Sequence, residues 1–178
     1  MLDVSEIRDL FRTTEASLGG LLTDPPKLAA ELARQHAEVR FASVDFDLAW
    51  LIGSGIRAVA SEERLPIAIN ITLGPQQVFH AAVDGATSDN DDWAARKSAV
   101  AWRYSKSSFA VGLDFADEPG GFDAASRRPV ADFAAHGGAV PILLRSGVAV
   151  GVTAVSGLPA TSDHALVIAA LTVARDHL

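Results

Sequence analysis

The amino-acid sequence predicts an α+β domain in which a mainly antiparallel sheet of about five strands lies between two layers of helices. Two segments have the pattern of a β-hairpin, and Ile67 to Leu73 alternates large apolar residues with small or polar ones, as a strand with one buried face does. The last predicted strand, Val148 to Ser156, is apolar or small on both faces. Such a strand is covered on both faces, which requires helices on each side of the sheet.

The first 25 residues differ in composition from the rest, and we expect an N-terminal arm, residues 1–25, before a single domain, residues 26–178. A chain of 178 residues fits one compact domain. The arm is acidic and ends in a glycine pair and a proline pair. A short helix from about Ser5 to Arg12 and a mobile arm are equally compatible with this segment. Pro26 suits the first turn of the next helix, because its missing N–H would have no partner there in any case.

A short strand and a long helix are predicted next. Glu38 to Ala42 is typical of the strand, and Ser43 is suited to cap the helix that follows. Apolar or small residues then recur at helical spacing, at Leu48, Leu51, Ile52, Gly55 and Val59. The glycine on this stripe predicts that the helix packs closely against the sheet.

Turn signals join the predicted strands into hairpins. Gly74-Pro75 ends the alternating strand, and Gln76 to Val83 returns beside it. Ser146-Gly147 joins Pro141 to Arg145 with the last strand, and a two-residue connection of this kind is typical of a tight hairpin. The stretch from Ala116 to Arg128 is predicted to be a loop.

Composition excludes several classes of protein. The chain has 22 acidic and 15 basic residues and a net charge of −7, which disfavours nucleic-acid partners because phosphates bind clustered cations. It has no cysteine, which excludes disulfides, thiolate catalysis and iron–sulfur clusters. No apolar stretch reaches the ~20 residues of a membrane helix, and the first residues lack a signal-peptide pattern. We therefore expect a cytoplasmic protein without a membrane partner.

The helix predicted to begin near Asp89 carries a lysine within its apolar stripe. Ser88, Asp89 and Asn90 are suited to cap this helix. The stripe consists of Trp93, Lys97, Val100, Ala101 and Tyr104. Either the stem of Lys97 is buried while its ammonium group reaches the surface, or the ammonium holds an anion. That anion would be a carboxylate of this fold or an acid group of a ligand, because a buried amine without a partner costs several kcal/mol.

A histidine followed by two glycines, His136-Gly137-Gly138, stands just before a predicted strand. Two glycines let the backbone approach another group closely and expose amide donors to it. The same pattern is equally typical of a tight connection with no further role. The segment is therefore a candidate binding loop with a structural alternative.

The last strand ends at Ser156, and a helix is predicted to begin near Ser162. This places Asp163 and His164 in the first helical turn, where free amide groups favour anions. The same terminus disfavours an imidazolium ion, so we expect His164 to be neutral and available as an acceptor or ligand. The alternative is that both side chains only cap and pack.

Other motifs give no support for a specific reaction. His80 lies on a strand face with apolar neighbours and is expected to be a core residue. The sequence contains no HExxH, G-x-S-x-G, P-loop or G-x-G-x-x-G pattern. Hydrolase, kinase and dinucleotide-binding functions therefore have no local support.

Taken together, these segments resemble the uncharacterised "heme-degrading domain" family, which is related to the HbpS- and GlcG-like group. The ordered motifs that carry the resemblance are Phe79-His80, Asp89-Asn90-x-x-Trp93, Arg96-Lys97, Ser107-Ser108, His136-Gly-Gly-x-x-Pro141-Ile, Gly151-Val-x-x-Val-Ser156-Gly-Leu and Asp163-His164. They cover roughly residues 28–178. The resemblance implies a profilin-like three-layer α/β/α fold with an antiparallel five-stranded sheet, homo-oligomers, and a link to heme or other tetrapyrroles.

The resemblance also implies a set of ligand-binding residues. They are Asn90, Trp93, Lys97, His136, Gly137, Gly138, Ser156, Asp163 and His164. His136 and His164 are the candidate metal ligands of this set. Two segments depart from the family pattern: Ala139-Val140 stands where Ser or Gly and then Phe is usual, and Tyr104-Ser-Lys106 stands where Phe-Gly-His is usual.

The favoured hypothesis is an oligomeric protein that binds a small ligand, with heme as the candidate cofactor. Histidine is a common iron ligand, and the Lys97 ammonium and helix amides would suit propionates. Trp93 would offer a flat apolar wall.

Two alternatives are an oligomeric structural or adaptor protein for protein partners, and a heme-degrading enzyme that uses a histidine pair as acid and base. In the enzyme, Asp163 would orient one ring. The binding and enzyme hypotheses require Lys97, His136, His164 and the Gly137-Gly138 bend to meet around one hollow.

Overall fold

The computed structural model describes residues 1–177 as a chain of seven helices and five strands. The helices are α1 (Val4–Leu21), α2 (Pro25–Glu38), α3 (Phe46–Glu62), α4 (Ser88–Tyr104), α5 (Ser108–Asp114), α6 (Gly121–Ala125) and α7 (Ala160–Asp176). The strands are β1 (Arg40–Phe41), β2 (Ala68–Leu73), β3 (Gln76–Ala82), β4 (Ala139–Leu144) and β5 (Ala149–Ser156). Leu178, the expected last residue of the domain, lies outside the described residues.

All five strands form one sheet, in the order β1-β4-β5-β2-β3. The pairs β4–β5, β5–β2 and β2–β3 are antiparallel, and only the two-residue strand β1 runs parallel to its neighbour β4. The predicted α+β class and the mainly antiparallel five-stranded sheet are therefore confirmed. Both predicted hairpins are present, and Gly74-Pro75 joins β2 to β3. The connection between β4 and β5 has four residues, 145–148, and not the predicted two, because β4 ends at Leu144 and β5 begins at Ala149.

Helices cover both faces of the sheet. Helix α7 packs on β4 and β5, α3 packs on β2 and β3, and α4 packs on the strands β2, β4 and β5. Strand β5 is in contact with both α4 and α7, and residues 151–156 are all buried. Both faces of this strand are apolar or small because a helix covers each of them, as predicted.

Helix α1 forms an additional layer outside α3 and α7. Its apolar residues Ile7, Phe11 and Leu18 are at most 1% exposed and belong to the same hydrophobic cluster as those two helices. The segment that we expected to be a short helix or a mobile arm is therefore an 18-residue docked helix. The three residues lie on one stripe of the helix, and burying that stripe stabilises the docked position. The division into an arm, 1–25, and a domain, 26–178, stays a prediction.

Several local predictions differ from the structure. The strand predicted over Glu38 to Ala42 is reduced to Arg40–Phe41, because α2 continues to Glu38. His80 is exposed and not in the core, because its neighbour Phe79 takes the buried face of β3.

Helix α3 is capped by Asp45, whose Oδ1 accepts from the Leu48 N–H at 2.8 Å, and not by Ser43. The glycine that packs closely on the sheet is Gly53, where a Cβ would lie 2.5 Å from the Phe79 ring, whereas Gly55 faces Ile7 of α1. The predicted loop before β4 contains the short helix α6. Helix phase explains the glycines, because residues two apart on a helix point in different directions.

Candidate ligand-binding site

A polar pocket of about 290 Å³ lies where four segments meet. These segments are the start of α4, the His136-Gly137-Gly138 turn, the end of β5 and the start of α7. The lining residues are Asp89, Asn90, Trp93, Lys97, His136, Gly137, Ser156, Gly157, Leu158, Ala160 and Asp163. Segments that are more than 60 residues apart in sequence thus build one hollow.

The start of α4 is fixed by a capping interaction that faces the pocket. Thr87 is the N-cap, and its backbone N–H donates to Asn90 Oδ1 at 2.8 Å. Ser88, Asp89 and Asn90 were each predicted as caps, but the N-cap is Thr87 and the helix begins at Ser88. Asn90 is therefore the third helical residue, and its side chain accepts from the backbone of the N-cap. Trp93 and Lys97 then follow one and two turns further along the same face.

The Lys97 ammonium group is buried at the base of the pocket, with a side chain only 3% exposed. Its Nζ donates to Asp163 Oδ2 at 2.9 Å and to the backbone oxygens of Val155 at 2.6 Å and Gly137 at 3.1 Å. All three protons of the ammonium group are therefore used within the chain. The anion that Lys97 holds is a carboxylate of this fold, and the alternative of an ammonium group at the surface is wrong.

Burial dominates the electrostatics of this ion pair. Removal from water raises the pKa of Asp163 to about 6, and the charge and hydrogen bond of Lys97 act against that rise. Burial lowers the pKa of Lys97, and Asp163 acts against that fall. Asp163 Oδ1 also accepts from the Leu158 N–H at 3.1 Å. The pair joins α4, β5 and α7, and it leaves the base of the pocket without net charge.

The glycine turn requires both of its glycines. A Cβ on Gly137 would collide with the backbone oxygen of Ala160. Gly138 has a φ of +125°, and a Cβ there would lie 2.5 Å from Lys97 Nζ. The fully buried Ser108 fixes the turn from behind, since its hydroxyl donates to the His136 oxygen and accepts from the Ala139 N–H at 3.1 Å.

This turn presents His136 at the rim of the pocket. The His136 side chain is exposed, and its ring stands edge-on to Trp93, with centroids 5.3 Å apart and an angle of 89° between the planes. The Arg96 guanidinium lies over the Trp93 ring at 4.1 Å and is also paired with Asp92 at 2.9 Å. The imidazole is therefore accessible to a ligand while its aromatic neighbour is held in place.

His164 is not part of this pocket, which corrects the prediction that both imidazoles share one hollow. Its ring is buried in the core, with Nε2 2.9 Å from Gln35 Oε1 and with the Phe109 ring 5.5 Å away. Consecutive residues on a helix point about 100° apart, so Asp163 faces α4 while His164 faces α2 and α5. His164 is neutral as expected, but the main cause is burial, which lowers its pKa to about 3.

The structure thus brings together seven of the nine predicted residues as pocket lining, and Gly138 lies directly against Lys97. Sequence reasoning missed Asp89 as a lining residue, together with Gly157, Leu158 and Ala160. Their position in the sequence could have indicated them, because Asp89 is next to Asn90, and Gly157, Leu158 and Ala160 lie between Ser156 and Asp163. Within residues 1–177, no three His, Asp or Glu side chains cluster so as to hold a metal ion.

The pocket combines an accessible imidazole, the Asp89 carboxylate and backbone groups. Its floor is the Lys97–Asp163 ion pair, which has no net charge. The pocket can accept hydrogen bonds, donate them and coordinate a metal centre through one nitrogen. No helix in the described part of the chain is long and apolar enough to cross a membrane.

Comparison with known proteins gives a consistent result. The family model for "Haem degrading protein HbpS-like" matches residues 44–172. The chain is 42% identical over 148 residues to a UPF0303 protein of Rhizobium meliloti, which covers 82% of this chain and 90% of the relative. A UPF0303 protein of Streptomyces avermitilis is 41% identical over 146 residues, with the same coverage.

Three solved structures share the fold. The crystal structure of Ybr137w superposes with a TM-score of 0.77 and 27% identity, covering 84% of this chain and 88% of that one. The crystal structure of HbpS has a TM-score of 0.60 and 16% identity, covering 71% and 86%. A PduOC–heme complex has a TM-score of 0.62 and 16% identity, covering 74% and 94%. The last two similarities concern the fold alone.

Proposed function

This chain belongs to the HbpS-like family of haem degrading proteins, and from that premise we propose that it is a cytoplasmic, oligomeric protein that binds a small ligand at the pocket beside His136. The observation that carries the proposal is the exposed imidazole of His136, held at the rim of a polar pocket by a turn that is hydrogen-bonded to the buried side chains of Ser108 and Lys97. Rigid support of an accessible ligating group is what a binding site requires.

Heme, or a related tetrapyrrole, is the ligand class that the family suggests, and the pocket fits it only in part. His136 would ligate the iron, and Trp93 would contact the ring edge. When bound, the cofactor would supply an iron centre. Lys97 would not hold a propionate, because its three protons are already used.

The size of the pocket limits how a tetrapyrrole would bind. A volume of 290 Å³ holds roughly ten water molecules, far fewer than the non-hydrogen atoms of a tetrapyrrole. Most of the macrocycle would therefore lie outside the pocket of one chain. A second copy of the chain would cover it in the proposed oligomer.

A hemin titration tests this function. We expect a shift of the Soret band on binding, and an apparent affinity at least about ten-fold lower for His136→Ala, because the iron ligand is lost. His177→Ala is the matched control, since His177 is an exposed histidine at the end of α7 that is far from the pocket. Equal spectra and affinities for wild type and His136→Ala would remove the heme assignment.

Oligomeric assembly for protein partners is the second candidate function. Its support is a pair of large apolar side chains one turn apart on α3, with Phe46 61% and Trp50 63% exposed. Adjacent exposed apolar groups are typical of contact surfaces, whereas single scattered ones are not. Light scattering and hemin titration of wild type and Trp50→Ser separate the functions: assembly alone predicts a smaller particle for the variant and no hemin binding by either protein.

The heme-degrading enzyme has less geometric support. Its acid–base pair of histidines would need His164 in the pocket, whereas His164 is buried against Gln35. Aerobic incubation with heme and a reductant tests this alternative, since turnover releases a biliverdin-like pigment and iron. Pigment formation above a free-heme control would favour it over binding alone.

A further inference from the structure

A second pocket of about 240 Å³ lies between α2 and α5 and shares no lining residue with the pocket at His136. Its walls are apolar and include Leu32 and Ala33 from α2 and Ala110 and Leu113 from α5. The polar side chains of His36, Lys106 and Asp114 converge on it. Apolar walls with a few converging polar groups are characteristic of small-molecule sites.

The charged side chains that line this second pocket are one lysine and one aspartate, with a histidine beside them. Lys106 Nζ is paired with Asp114 Oδ2 at 2.7 Å, and both side chains are half-exposed. His36 is half-buried, and its pKa is lowered by burial and then by the positive charges of Arg40 and Lys106. Arg40 has a buried Nε that lacks a hydrogen-bond partner within residues 1–177. Of the two cations that act on His36, Lys106 lines the pocket and Arg40 does not.

We propose that the pocket between α2 and α5 is a second ligand site, which takes a small amphipathic carboxylate. The apolar part of the ligand would lie against Leu32, Ala110 and Leu113. Its carboxylate would accept from Lys106, which keeps two further donor protons beside Asp114, and from the ring of His36.

The volume of the pocket sets the size of the ligand. A space of 240 Å³ holds about eight water molecules, which corresponds to a ligand of about eight non-hydrogen atoms. Hexanoate has this size and the required chemistry. Hexanamide has the same shape without the charge, so comparing the two separates the carboxylate from the apolar chain.

A titration of the isotope-labelled full chain with hexanoate, followed by amide NMR signals, tests the proposal. We expect shifts that saturate at the amides of Ala33, Ala110 and Leu113 while those of Trp93 and His136 stay in place. Hexanamide should bind about ten-fold more weakly, because a charge-assisted hydrogen bond is lost.

Two variants and a matched control test whether Lys106 binds the carboxylate of the ligand. Lys106→Met should weaken hexanoate binding about ten-fold, and Asp114→Asn should strengthen it, because it removes the competing carboxylate. Lys27→Met is the control, since Lys27 is an exposed lysine paired with Asp24 at the same distance of 2.7 Å, outside the pocket. Its affinity for hexanoate should equal that of the wild type.

Several results would overturn the proposal. These are an absence of shifts with hexanoate, equal binding of hexanamide, or shifts confined to the pocket at His136. Broadening of the Ala33 and Ala110 signals with protein concentration alone would show that a second copy of the chain covers this surface instead. None of these results bears on the hemin titration, so the two sites are tested separately.

Discussion

The first turn of α7 and the rim of the polar pocket each carry a histidine, but the first is buried and the second is exposed. The α7 turn carries Asp163 and His164, both at most 2% exposed and held by partners within the chain. The rim carries His136, whose ring is open to solvent. Buried polar groups with fixed partners stabilise one arrangement of the fold, whereas an accessible group on a fixed backbone is available for ligands.

The largest expected effect is at the ion pair. Asp163→Ala leaves the Lys97 ammonium buried without its carboxylate, which should lower the free energy of unfolding by about 3–5 kcal/mol. Chemical denaturation measures this loss. The double variant Lys97→Met with Asp163→Leu removes both charges and should recover most of it; a double variant as unstable as Asp163→Ala alone would contradict the explanation.

The second effect depends on pH and comes from His164. Its folded pKa of about 3 lies below the ordinary value of 6.5, so the unfolded chain takes up the proton first. The contribution to stability is complete above pH 6.5 and is lost as the pH falls from 6.5 towards 3. Between pH 7 and pH 5 the free energy of unfolding should fall by about 2 kcal/mol through this group.

Denaturation curves of wild type and His164→Gln at pH 7 and pH 5 test this dependence. The variant has no ring to protonate, so its stability should fall less over the same interval. Parallel losses in the two proteins would assign the acid sensitivity to other groups.

The smallest effect is expected at the rim. His136→Ala removes an exposed ring and should change the free energy of unfolding by about 0.5 kcal/mol or less, as is usual for surface substitutions. The same variant is expected to lose most of its affinity for hemin. A loss of stability as large as that of Asp163→Ala would mean that the rim, too, is part of the structural framework.

Much of this arrangement could be predicted from the sequence, because periodicity and turn residues are local signals. The lysine in the stripe of α4 and the two glycines after His136 indicated a buried contact and a close approach, and the structure joins them: Lys97 Nζ donates to the Gly137 oxygen. The order of the strands within the sheet needed contacts between distant segments, which sequence patterns do not specify.

The direction of His164 could not be predicted for a related reason. The sequence placed Asp163 and His164 in one turn, but α7 is buried on nearly every side, so its apolar pattern does not indicate which layer each residue faces. Docking of α1 escaped prediction in the same way. Its stripe of Ile7, Phe11 and Leu18 was not recognised, because the sequence does not show which surface buries it.

The two borders of the sheet are unequal, since β1 at one border has two residues and β3 at the other has seven. A border of two residues is too short to template another strand, whereas the longer one leaves backbone groups available. Edge-to-edge pairing of two copies of the sheet would therefore use β3 of each chain around a two-fold axis. A dimer of this kind is closed, because each chain uses the same edge, and it cannot extend into a fibre.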